Sequence, residues 1–163
     1  LNSKAKSYLD SGDYESAISR LKSSVDLDST IFETHYNLGI AYTQAEKYPE
    51  AVDSFDKAIK LNPAFADTYY SIAVAQENFA KGIIDGSLKE TGNGKQETEK
   101  QAEEAPAERK LTKEEKQQVA ELFNSSIESY TTYLEKSKEA KDSKDVQDKI
   151  DYLKTQVTKY SAE

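Results

Sequence analysis

Over the first eighty residues, adding 34 to a residue number returns a residue of similar size and polarity. Ala5 falls on Gly39, Tyr8 on Tyr42, Tyr14 on Tyr48, Ala17 on Ala51, Ile18 on Val52, Leu21 on Phe55 and Leu27 on Leu61. A further step takes Tyr36 to Tyr70, Leu38 to Ile72, Gly39 to Ala73 and Ala41 to Ala75. Such a period constrains the fold strongly, because each unit must bury its apolar face on its neighbours. Within a unit the apolar residues recur at helical spacing, over residues 36–42 and again over 48–59. Gly12 supplies a permissive backbone for the first inter-helix turn. Pro49 opens a second helix where its missing N–H costs nothing, and Asn62-Pro63 stops it. The unit is an antiparallel helix pair, with small residues (Gly39, Ala51, Ala58) where the backbones approach.

The segment HYNLGIAYTQAEKYPEAVDSFDKAIKLNP, His35 to Pro63, resembles the tetratricopeptide repeat (TPR) family closely. Lys4 and Glu46 depart from the pattern, standing for an aliphatic residue and for the usual turn glycine. The resemblance implies an all-α fold: a right-handed superhelical stack of antiparallel helix pairs, an α-solenoid of three units with a C-terminal capping helix. One domain is expected over 1–163, with repeat 1 at 1–31, repeat 2 at 32–65 and repeat 3 at 66–80 plus 121–137.

Repeat 3 is interrupted. Phe123, Ser126, Ile127, Tyr130 and Tyr133 match Tyr48, Ala51, Val52, Phe55 and Ala58 at an offset of 75 in place of 34. About 41 residues are therefore inserted at the inter-helix turn. Ile83 continues the apolar face of Ile72, Gln76 and Phe79, so the first helix of this pair overshoots before Gly86. Thr112 and Glu115 form a capping box that starts the returning helix near Lys113. Within the insertion, 81–120, the polar stretch 90–110 holds no aromatic or large aliphatic side chain to offset its ordering entropy, and a mobile loop is expected there. Beyond it, Val146, Ile150, Leu153, Val157 and Tyr160 form one stripe over 143–160, which serves either as the capping helix or as a coiled-coil seam.

Composition narrows the function. The 163 residues carry 22 Lys+Arg against 30 Asp+Glu, a net charge of −8, which repels nucleic acid and anionic membranes. With no cysteine there is no thiolate chemistry, and no apolar run approaches the ~20 residues of a membrane span, so direct membrane insertion is not expected. The chain begins at Leu1 without an initiator Met; neither a compartment nor what precedes it follows from the sequence.

Catalytic motifs are wanting. His35 is the single histidine and falls on a packing position equivalent to Tyr69. Thr91-Gly-Asn-Gly-Lys95 lacks the first glycine and the Ser/Thr of a phosphate loop. Helical carboxylates alternate with lysines, and no calcium-loop spacing occurs. No enzyme activity, metal or cofactor is expected.

In the resembled family the first helices of successive pairs line a concave face that binds extended peptides or helices. The matching positions are Asn2, Lys6, Tyr36, Asn37, Ile40, Gln44, Tyr70, Ser71, Val74 and Glu77, of which all but Asn2 are taken as the candidate peptide-binding set. Members that grip acidic chaperone tails use Lys and Asn residues at positions held here by Asn2, Lys6 and Asn37, and Lys and Arg at positions held by Asp67 and Ser71. Only Asn37 agrees. With Glu33, Asp67 and Glu77 near the groove, the expected partner is a neutral or basic peptide or protein, and acidic chaperone tails are excluded. The alternative is a structural module in which the C-terminal helix or the repeat 3 hairpin makes a homo-oligomer.

Overall fold

The computed structural model describes residues 2–88, 110–137 and 141–161. Among them are seven helices and no strand: α1 (Asn2–Asp10), α2 (Tyr14–Leu27), α3 (Phe32–Gln44), α4 (Tyr48–Leu61), α5 (Ala66–Asp85), α6 (Lys113–Lys136) and α7 (Ser143–Ser161). Each helix packs on the next in chain order, and α3 also touches α5. The fold is an all-α stack of antiparallel pairs closed by α7. The loop expected at about 90–110 lies outside the described residues, Lys110 excepted.

The 34-residue period reappears as geometry. Between α1 and α2 the Asp13 amide donates to the Tyr8 carbonyl at 2.9 Å; between α3 and α4 the Lys47 amide donates to the Tyr42 carbonyl at 2.8 Å. Gly12 makes the first turn at φ +77° and Glu46 the second at φ +58°, so the glutamate adopts the glycine's left-handed backbone. That conformation costs an L residue about 1–2 kcal/mol, which the stacked pair holds in place. His35 Nε2 lies 2.9 Å from the Ser29 carbonyl, and the Tyr69 hydroxyl donates to the Pro63 carbonyl at 3.2 Å. A carbonyl only accepts, so Nε2 carries the proton; two different side chains tie down equivalent loops.

The third pair repeats the pattern across its long interruption. Tyr36 meets Phe55 with ring centroids 5.9 Å apart, and the equivalent Tyr70 meets Tyr130 at 5.5 Å. The buried Ser126 hydroxyl, in place of Ala51, donates to the Ala73 carbonyl at 2.9 Å. Gly86, at φ +78°, ends α5 about two turns beyond the end of its counterpart α3, and Leu88 folds back onto Gly82. The capping box of Thr112 and Glu115 starts α6 at Lys113.

Three apolar clusters run along the stack. Ala5, Leu21 and Leu38 centre the first, Phe55 and Ile72 the second, and Phe123, Tyr130 and Leu153 the third. The stripe of α7 enters the third cluster through Val146, Ile150 and Leu153, with Val157 and Tyr160 against its edge. It is spent within the chain as a cap, which leaves no free seam for a coiled coil. No helix among the described residues is long and apolar enough to cross a membrane.

Candidate peptide-binding groove

The first helix of each pair presents one side to the groove, and between α1 and α3 that side opens into a cleft of about 630 Å³. Its walls are Ala5, Lys6, Leu9 and Asp10 from α1 and Tyr36, Asn37 and Ile40 from α3. Leu9, Tyr36 and Ile40 are half-buried and offer apolar surface; Lys6 is exposed and offers a cation; Asn37 offers an amide that both donates and accepts. Four of the nine residues expected from the sequence, Lys6, Tyr36, Asn37 and Ile40, thus meet in one place.

The others are distributed along the face. Ser71 on α5 joins the cleft residues through its hydroxyl, 3.4 Å from that of Tyr36. Gln44 is exposed at the end of α3, and Val74 is half-buried against the third cluster. The tyrosines do more than line a groove. Tyr36 also meets Phe65 edge-on at 5.3 Å, and Tyr70 lies edge-on against both Tyr130 and Tyr133. Truncating either would open the core, so they hold the face as well as forming it. The side chain of Asn2 lies outside the described residues.

Glu77 is a correction. Its side chain is only 5% exposed and does not offer a free carboxylate to the groove. Lys81 donates to one of its oxygens; Tyr130 donates to the other at 3.1 Å, with the Lys149 ammonium 3.3 Å away. Burial alone pushes the Glu77 carboxyl up, but the Lys81 hydrogen bond and the Lys149 charge outweigh it and hold it below the usual range. Burial, with the adjoining carboxylate, pushes the Tyr130 phenol far up, so it remains a donor. The sequence reading counted a negative charge where one carboxylate carries two lysines. Lys81 stands on the overshoot of α5 and Lys149 on α7, both outside the repeat register that located the groove. Leu9 and Asp10 were also missed, although stepping back 34 from Thr43 and Gln44 reaches them.

Among the described residues no group of three His, Cys, Asp or Glu is placed to hold a metal. Residues 32–65 match the family model described as tetratricopeptide repeat, and residues 5–45 match one described as TPR repeat. Residues 5–65 therefore carry tetratricopeptide repeats. The chain's architecture is the stack of antiparallel helix pairs that such repeats build. No curated protein sequence matches it. Among solved structures, it is similar to the first TPR domain of Spaghetti (RPAP3) bound to the HSP90 peptide SRMEEVD, with a TM-score of 0.65 at 16% identity, covering 95% of this chain and 90% of that one. It is also similar to the TPR2B domain of yeast Sti1 in its pHsp70 complex, TM-score 0.58, 16% identity and the same coverage of both chains. The TPR2AB–pHSP90 complex of yeast Sti1 gives the same score and identity, over 95% of this chain and 44% of that one.

These structures overturn the partner expectation. An architecture shared over nearly the whole chain holds acidic chaperone peptides, so the exclusion of such tails does not stand, nor does the preference for neutral or basic partners. Part of the physical reason is local: Glu77, one of the three acids invoked, is already neutralised.

Proposed function

We propose that the chain is a peptide-binding scaffold whose concave face receives an extended segment, with a ligand carboxylate against Lys6 and Asn37. On this reading residues 1–163 act as a single TPR domain, with repeats at 1–31, 32–65 and 66–80 plus 121–137 and the capping helix over 143–160. Tyr36, Ile40, Tyr70 and Val74 supply apolar contact; Gln44 and Ser71 supply hydrogen bonds to the ligand backbone. The observation that carries the reading is the α1–α3 cleft, where the Lys6 ammonium and the Asn37 amide share walls with Leu9, Tyr36 and Ile40, Asp10 being the single acid among the lining residues. That combination suits a carboxylate beside an apolar side chain, as at the end of a peptide such as SRMEEVD.

The test is fluorescence anisotropy with labelled SRMEEVD and the same peptide capped as a C-terminal amide. Lys6→Ala and Asn37→Ala should each weaken the acid by about tenfold, the loss expected of a hydrogen bond to a charged group. The amide should bind the unaltered chain correspondingly less. Equal affinity for the two peptides, or indifference to both substitutions, would contradict the proposal.

A further inference from the structure

One buried carboxylate with two ammonium groups leaves a positive charge unspent, and the placement of the second ammonium gives it a use. Lys81 and Tyr130 between them satisfy both Glu77 oxygens. Lys149 is the more distant of the two lysines, with its ammonium 3.3 Å from Glu77 Oε2 and 3.3 Å from the Tyr130 hydroxyl, and 5.4 Å from the centre of the Tyr130 ring. Its side chain is 37% exposed. The same Tyr130 ring receives Tyr70, the residue equivalent by the repeat to the cleft-lining Tyr36. Lys149 therefore stands one ring away from the α5 portion of the groove. At that portion the repeat positions themselves supply Asp67 and Ser71, neither of them a cation.

We propose that Lys149, on the capping helix, is a specificity-determining contact for acidic side chains of a segment bound in the groove. The inference rests on the concave-face reading above and extends it. The occupant is an anionic peptide whose end lies at Lys6 and Asn37 and whose preceding acidic residues run toward α5 and α7. When such a carboxylate arrives, Lys149 turns its charge to it while Lys81 and Tyr130 keep Glu77 satisfied, so no buried charge is orphaned. The capping helix then does more than close the apolar end of the stack.

The full 163-residue chain is titrated with SRMEEVD and with SRMQQVD, in which both inner glutamates are replaced. The unaltered chain should prefer SRMEEVD by about threefold to tenfold, the range between an exposed and a partly desolvated ion pair. Lys149→Ala should abolish that preference while leaving the affinity for SRMQQVD unchanged, and Lys149→Arg should restore much of it. Should Lys149→Ala loosen α7, as thermal melting would reveal, Lys149→Gln keeps a donor for Glu77 and Tyr130 and must lose the preference likewise. A preference that survives in Lys149→Gln, or an equal loss for both peptides, makes Lys149 structural only and overturns the inference. Failure of the unaltered chain to bind either peptide would instead strike the concave-face reading, and this inference with it.

Discussion

Gly12 and Gly39 are both demanded by the fold, for opposite reasons. Gly12 has open space around it and is used for its positive φ; Gly39 is an ordinary helical residue used for its lack of bulk. A Cβ at Gly39 would lie 2.6 Å from two ring atoms of Phe55, which is completely buried and cannot swing aside. Alanine gains about 1 kcal/mol of helix propensity, but forcing extra bulk into a packed core costs about 1–3 kcal/mol. Gly39→Ala should therefore lower the melting midpoint, with a net loss of up to about 2 kcal/mol; a raised midpoint would show that α3 and α4 can part freely. At this scale the sequence was informative wherever the repeat provided a second copy. Gly39 could be read as a close-approach residue because Ala73 occupies its counterpart, and His35 as a packing residue because Tyr69 occupies its own. Glu77 could not be read, since its partners belong to no repeat position and only Lys81, four residues on, is visible as a helical neighbour.

The unusual elements are the third pair and the helix that closes it. The overshoot of α5, its stop at Gly86 and the start of α6 at Lys113 all follow from local chemistry, namely a continuing apolar face, a permissive glycine and a capping box. The stripe of α7 was legible too, but its use was not: spacing alone cannot tell a cap from a seam, and only its burial against Phe123 and Tyr130 decides. The Glu77 cluster joins α5, α6 and α7, so its titration bears on this end of the stack. A carboxyl held below its ordinary value contributes stability above that value and loses it as pH falls through the lowered one. Thermal melts should therefore show the chain weakening, as pH falls through and below the ordinary glutamate range, more steeply than Glu77→Gln does. At neutral pH Glu77→Gln should cost about 1–2 kcal/mol, less than a fully sealed pair, because both lysines are partly in water. Parallel acid profiles for the two proteins would contradict this account of the cluster.

Across the whole molecule, function is a consequence of stacking. No unit could bury its own apolar face, and piling the pairs in register sets α1, α3 and α5 side by side, so that residues 34 apart in sequence line one surface. The architecture and the α1–α3 cleft were legible because they repeat. The charge of the groove was not, because the lysines that correct it come from the overshoot and the capping helix. The central claim is that this surface, and not the opposite one, takes the ligand. Amide chemical-shift mapping by NMR with SRMEEVD tests it most directly. The account predicts shifts centred on α1, α3 and α5, strongest at Lys6, Asn37 and Ile40, and reaching α7 at Lys149. Shifts centred on α2 and α4, or none at saturating peptide, would contradict it.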